Sequence, residues 1–194
     1  MRKVFALKLW LPGVAFAQEP AAQDKPDIES QRNEIRADLV SVVYYSRYNL
    51  SYERFLQNRW SVGVSAGIAD SEEIDTDFDR GYRNNRPRYD VTPFVRYRFS
   101  KNPRSFYFGE AFVSANSGDF KETVRLIDTD GSAYFVNQKS EYFDIGAGGG
   151  LGYKFYFKDQ FAIELLVSVG MNFLDTDKSP DVISRTGLSI GYRF

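Results

Sequence analysis

Hydrophobic and polar residues along this chain alternate with a period of two. From Trp60 to Ala69 the residues Trp60, Val62, Val64, Ala66 and Ile68 share one face, and Ser61, Gly63, Ser65 and Gly67 the other. Only a β-strand sends alternate side chains to opposite faces. From Phe161 to Phe173 the same alternation gives an apolar face of Phe161, Ile163, Leu165, Val167, Val169, Met171 and Phe173, against Glu164, Ser168 and Asn172. Tyr89 to Phe99 and Glu141 to Phe155 repeat the pattern, the latter with a glycine-rich polar face of Tyr142, Asp144, Gly146, Gly148, Gly150, Gly152 and Lys154. Further strands are read over 35–45, 48–56, 105–115 and 185–194, with Glu110 turned to the polar face. Pro93 forfeits a ladder donor and predicts a bulge.

The polar faces carry charges, serines and glycines, which suit a wet or ion-paired lumen and not a dry core. The apolar faces then point outward, towards lipid. Connections after the second, fourth and sixth strands are short, and those after the third, fifth and seventh are long, including 70–88 and 116–140. An even strand count with alternating short and long connections predicts an all-β, eight-stranded antiparallel transmembrane up-and-down β-barrel over residues 34–194, with its termini and short turns on the periplasmic side and its long loops extracellular. The segments 123–127 and 133–136 are able to extend their flanking strands as a hairpin.

The final strand carries a second signal. Leu188, Ile190, Tyr192 and Phe194 form its apolar face. A strand ending in Tyr192 and Phe194 resembles the closing strand of bacterial outer-membrane barrels, which implies recognition by the barrel-insertion machinery. Such strands often carry glycine five residues before the end, where this chain has Ser189.

Composition narrows the reading. The 194 residues include 17 Phe, 13 Tyr and 2 Trp, with no Cys and no His. A mean hydropathy of -0.41 is too low for a helical membrane protein. Lacking cysteine excludes disulfides and thiolate chemistry, and lacking histidine removes the commonest general base and transition-metal ligand. With 25 Lys+Arg against 26 Asp+Glu, nothing favours nucleic acid as a partner. At the N-terminus, Arg2 and Lys3 precede an apolar stretch that ends in Ala15-Phe16-Ala17, the form of a secretory signal over 1–17. Residues 18–33 lack periodicity and read as a flexible periplasmic leader.

The block Asn49-Leu50-Ser51-Tyr52-Glu53-Arg54, followed by Asn58-Arg59-Trp60-Ser61-Val62-Gly63, resembles a family of small outer-membrane barrels of unknown function from Gram-negative bacteria. Its general shape is similar to the OmpA and OmpX barrel domains. The resemblance implies fold and location, and carries no catalytic residues. With the chain ending at Phe194, the peptidoglycan-binding domain of OmpA-like proteins is not expected.

Candidate sites follow from the facings. The lumen collects Glu53, Glu110, Asp144 and Glu164 with Arg96, Arg98, Lys154 and Arg193, a structural charge network in which Glu53 is expected to pair with Arg96 or Arg98. Outward aromatics at strand ends, Trp60, Phe99, Phe155 and Phe161 on one side and Tyr45, Tyr89, Phe143 and Phe173 on the other, form two girdles. An eight-stranded barrel is just wide enough for its side chains to fill, so no open pore is expected. No nucleophile-and-base spacing stands out, and no enzymatic activity or cofactor is expected. Asp75, Asp77 and Asp79 alternate as divalent-ion ligands do, yet lack the glycine and glutamate of a calcium loop, and read as a solvated acidic loop. Arg80, Arg83, Arg86 and Arg88 suit either lipid phosphates or the acidic half of their own loop. Asp128-Thr129-Asp130-Gly131 and Asp175-Thr176-Asp177 read as turns.

The resulting expectation is a monomeric outer-membrane barrel in contact with lipid and lipopolysaccharide, with a structural or surface-interaction role through its loops. The alternatives are a narrow or gated small-solute channel or ligand-binding barrel, and a soluble secreted barrel holding an apolar ligand.

Overall fold

Eight antiparallel strands close on themselves in sequence order, β1 pairing with both β2 and β8. The strands are β1 Asn33–Asp38, β2 Arg47–Phe55, β3 Trp60–Ala69, β4 Asn85–Arg98, β5 Ser105–Ile127, β6 Ala133–Phe157, β7 Phe161–Asn172 and β8 Val182–Arg193, with two short helices, α1 Leu39–Tyr45 and α2 Glu72–Arg80. The computed structural model describes residues 27–128 and 131–194; the secretory signal expected at 1–17 and the leader over 18–26 lie outside them. Neither helix is long and apolar enough to cross a membrane.

Period-two patterning sets every facing. In β7 the residues Phe161, Ile163, Leu165, Val167, Val169 and Met171 are exposed, while Ala162, Glu164, Ser168 and Asn172 are buried. The 12 residues of β7, at about 3.3 Å each and tilted by about 40°, rise about 30 Å along the barrel axis. Three connections at one end are short, over 56–59, 99–104 and 158–160. The turns at 58–59 and 158–159 are tight enough to put Asn58, Arg59, Lys158 and Asp159 at positive φ. The barrel closes where Phe194 and Asn33 exchange backbone hydrogen bonds of 2.8 and 3.0 Å.

Several elements depart from the sequence reading. The first strand ends at Asp38, not at Tyr45, because Asp38 caps a helix: its carboxylate accepts from the amides of Val40 at 3.0 Å and Ser41 at 3.3 Å. Tyr45 therefore sits in α1 and not on an outward strand face. The stretch 70–88 is not a plain loop. Ser71 caps α2, whose first turn holds Glu72, Glu73 and Asp75, the charge sign that a helix N-terminus favours. Pro93 keeps register with Val64, and the irregularity of β4 falls at Pro87/Tyr89 instead.

The expected hairpin extension is long. β5 and β6 stay paired from Ser105↔Phe155 to Ile127↔Ala133, whereas β4 leaves β5 at Asn85↔Phe120 and β7 joins β6 only from Gly146↔Asn172. The upper hairpin therefore stands beyond the barrel, and among the described residues both its edges are unpaired. Near its tip Gly131, at φ 85°, donates to Asp128 O at 3.0 Å. Residues 27–33, read as leader, are partly ordered against the opposite end: Ser30 N donates to Asp27 O at 2.8 Å, and Ile28 is buried against Phe106, Phe108, Tyr156 and Ala162.

Candidate functional site

The centre of the lumen is a charge network contributed by strands from all round the wall. Arg96, on β4, is its hub. Its guanidinium reaches Glu53 at 2.9 Å, Glu110 at 2.6 Å and Glu164 at 2.9 Å, and its Cζ lies 4.4 Å from the ring centroids of both Phe94 and Phe108. Lys154, on β6, touches Glu34 at 2.7 Å, Glu53 at 2.8 Å and Glu164 at 3.0 Å. Arg36, on β1, pairs with Glu34 at 2.8 Å and also with Glu53. Arg185, on β8, pairs with Glu110 at 2.5 Å and reaches Ser65 Oγ at 3.3 Å. Ser61 Oγ donates to Glu53, and Tyr156 OH to Glu34. Four carboxylates thus face four cations, each buried pair satisfied by several partners, the condition under which buried charge is tolerable.

Glu34, Glu53 and Glu164 bring carboxylate oxygens within 4.8 Å of one another, the spacing of a metal site. Lys154 and Arg36 each contact all three and Arg96 contacts Glu53 and Glu164, so three cations already balance the three carboxylates.

Of the residues expected here, Glu53, Arg96, Glu110, Lys154 and Glu164 are in the network, and Glu53 pairs with Arg96 and not with Arg98. Three are not. Arg98 and Arg193 face inward below it, at the short-turn mouth, Arg98 over Phe106 at 5.4 Å and Arg193 over Phe55 at 3.8 Å. Among the described residues Asp144 has no cation partner. It accepts from the amides of Phe173, Leu174 and Asp175 at 3.1, 2.8 and 2.9 Å and from Ser179 Oγ, so it pins the connection between β7 and β8. Glu34, Arg36 and Arg185 were missed. All three follow from alternation: Ile35 and Ala37 outward put Glu34 and Arg36 inside, and Arg185 shares parity with Arg193.

Large lumen rings sit opposite glycine. A Cβ on Gly63 would strike the Phe94 ring, one on Gly148 the Phe112 ring and one on Gly152 the Phe108 ring. The network leaves two cavities, about 430 Å³ towards the long connections and about 360 Å³ at the short-turn mouth.

On the outer surface, Trp60, Phe99, Phe155 and Phe161 ring the short-turn end, joined by Tyr192 and Phe194. Trp60 packs on Tyr97 at 4.9 Å and Phe161 on Tyr192 at 5.6 Å. Tyr89, Phe143 and Phe173 lie exposed near the other rim.

At that rim α2 is held by charge. Phe78 is buried beneath Arg86 and Lys121, each 5.0 Å from its ring centroid, and Lys139 at 5.4 Å. Lys121 Nζ donates to the carbonyls of Phe78 and Asp79, and Lys139 to the Asp79 carboxylate at 3.0 Å. Lys121 and Lys139 are direct cross-strand partners, a like-charge pair that the C-terminal end of α2 neutralises. Arg86 bridges Asp75 at 3.1 Å and Asp119 at 2.6 Å, and Arg88 also binds Asp119 at 2.6 Å. The hydrogen bond and charge of Lys139 hold Asp79 below the ordinary carboxylate range. Partial burial opposes it, but the hydrogen bonds of Arg86 and Arg88 hold Asp119 low as well. On α2, Asp77 points away from the face that Asp75 and Asp79 share one turn apart, and Arg86 takes Asp75 while Lys139 takes Asp79, so the three carboxylates do not converge on an ion.

The family described as "protein of unknown function (DUF3575)" matches residues 22–193, and the chain belongs to it. Among solved structures it is similar to a major outer membrane protein from Thermus thermophilus, at 13% identity and TM-score 0.51, covering 84% of this chain and 97% of that one. It is also similar to the N-terminal β-barrel domain of Pseudomonas aeruginosa OprF, at 16% identity and TM-score 0.47 over 84% and 98% of the two chains. A third is Ail, the attachment invasion locus protein of Yersinia pestis, at 13% identity and TM-score 0.44 over 84% and 99%. At these identities the likeness concerns the fold. No curated protein matches the sequence.

Proposed function

We propose that this chain is an outer-membrane β-barrel protein whose lumen is closed at mid-height by its own ion network, and which acts structurally or by surface interaction at its long-connection end. One observation carries the reading: burial is inverted. Leu165, Val167, Val169 and Met171 are 54 to 65% exposed, while Glu53, Glu110, Lys154 and Glu164 are at most 5% exposed. In water such a belt would far exceed the few hundred Å² of contiguous apolar surface that soluble proteins show. In a bilayer it needs no cover, and its aromatic edges suit the interfaces. A soluble barrel holding an apolar ligand would need the reverse arrangement.

The partners of this reading are outer-membrane lipid and lipopolysaccharide around the belt and the barrel-insertion machinery during assembly, with the folded protein a monomer. It is not an enzyme. The surface role rests on the β5–β6 hairpin beyond the α2 clasp, where Ile127 and Phe135 are both 71% exposed and, among the described residues, both strand edges are unpaired. Such a hairpin offers main-chain pairing and apolar contact together.

Membrane fractionation followed by gel electrophoresis with and without boiling tests the location. A compact SDS-resistant band in the outer-membrane fraction is the expected outcome; a periplasmic protein without the shift would defeat the proposal. Planar-bilayer recording separates the channel alternative: the mid-lumen plug predicts no steady conductance, and stable single-channel steps from the unaltered protein would replace the structural reading by transport.

A further inference from the structure

The mid-lumen network is balanced, but the cavity below it is not. The short-turn mouth, about 360 Å³, is lined by Arg32, Arg59, Arg98 and Arg193, and Glu29 is its one carboxylate outside the network. Among the described residues, none of these four arginines has a carboxylate within salt-bridge distance. Arg193 is the telling member. It is 4% exposed, its Nε donates to Gln31 O at 2.8 Å, its guanidinium lies against the Phe55 ring at 3.8 Å, and among the described residues its Nη1 has no hydrogen-bond partner. A buried guanidinium nitrogen without an acceptor is costly, and its sequestration beside three like charges needs an occupant to offset it. Arg98 lines the same cavity beside Arg193 and Arg59, its guanidinium 5.4 Å from the Phe106 ring centroid.

We infer that the short-turn mouth of the barrel is a binding site for a phosphate-type oxyanion, held by Arg98 and Arg193 from the wall and Arg32 and Arg59 from the rim. Guanidinium forks match the oxygens of phosphate two at a time, and are less strongly hydrated than ammonium groups, which favours this use in a half-enclosed cavity. The volume lies in the range of small-molecule sites. Phe55 and Phe106 line the same space, so an apolar or planar body attached to the phosphate has somewhere to lie. The site is at the end opposite to the free hairpin and does not depend on what the hairpin binds. Two sources share the chemistry: a soluble phosphate compound entering the mouth, or a phospholipid headgroup reaching over the rim beside Trp60.

The test uses the full-length folded barrel in a zwitterionic detergent, titrated calorimetrically with inorganic pyrophosphate. Saturable binding is expected, weakened about tenfold or more by Arg98→Gln and by Arg32→Gln, as loss of a charge-assisted contact implies. Arg104→Gln serves as control, since Arg104 is exposed at the same end and already paired with Asp159. Retention of the SDS-resistant band certifies that each variant is folded, and Arg32, on the rim, supplies the test if Arg98→Gln does not assemble. Repeating the titration in phosphatidylcholine vesicles with and without phosphatidylglycerol separates the sources: competition by the anionic lipid assigns a headgroup, and unchanged binding assigns a soluble ligand. Absence of saturable pyrophosphate binding, or equal weakening by Arg104→Gln, overturns the inference.

Discussion

The mid-lumen network and the clasp that holds α2 are made from the same side chains, arginine and lysine against carboxylates, at comparable distances. They differ in what surrounds them. In the lumen, Lys154 with Glu34 is fully buried, whereas the clasp grades outward, from Arg86 with Asp119 at 16% and 20% exposed to Lys139 with Asp79 at 59% and 61%. Exposed pairs contribute little and are screened by salt, while buried ones are barely screened, and losing one partner strands the other. The same chemistry is therefore a fixed plug in one place and a releasable latch in the other.

The largest expected effect comes from breaking the balance of the plug. Arg96→Leu leaves Glu53, Glu110 and Glu164 short of a cation, and a cost of about 3–5 kcal/mol is expected, read by urea unfolding of the folded barrel in detergent. Adding Glu164→Leu restores equal numbers of each sign and should recover part of that loss. If the single variant costs no more than a rim substitution such as Lys139→Ala, burial is not what distinguishes the two regions. A smaller effect tests the ring cradle around Arg96. Gly63→Ala drives a Cβ into the Phe94 ring and against the Tyr52 carbonyl oxygen and should cost about 1–3 kcal/mol, with Phe94→Leu in the same chain relieving the ring's share of it and leaving the carbonyl's. Additive losses would mean that the ring is not held against Gly63.

The contrast also explains what the sequence disclosed. Strand number, closure and facing were legible because a wall with lipid on one side and charge on the other enforces strict alternation over many residues. Glu53, Arg96 and Glu164 could be placed by parity alone. Glu34 and Arg36 escaped because Leu39, Ser41, Val43 and Tyr45 extend a period of two through α1 and drew attention to the outward set. Only Asp38, a capping side chain, marks where the strand stops. The α2 clasp was illegible for a different reason. Its logic is long-range: Lys121 and Lys139 come together only through the β5–β6 register, and Asp119 reaches Arg86 and Arg88 only through the β4–β5 pairing. Asp144 shows the limit of parity, which gave its facing but not its partners, three backbone amides of a distant connection.

The latch makes the smallest prediction and the one most specific to the comparison. Asp79 and Asp119 are both held below their ordinary range in the folded protein. A carboxylate depressed by folding contributes fully above its unfolded value, near pH 4, and loses that contribution as pH falls through its folded value. Acidification from pH 7 to about pH 3 should therefore loosen α2 before it touches the barrel, and raising salt from about 0.1 to 1 M, which shortens screening from about 10 to 3 Å, should act in the same direction at neutral pH. Hydrogen exchange of the α2 amides, with β7 as internal reference, reads both. Faster exchange in α2 with β7 unchanged is the expected pattern, and Asp79→Asn should blunt the acid response while Asp77→Asn leaves it intact. If α2 and β7 respond together, the clasp is no latch and the two regions behave as one.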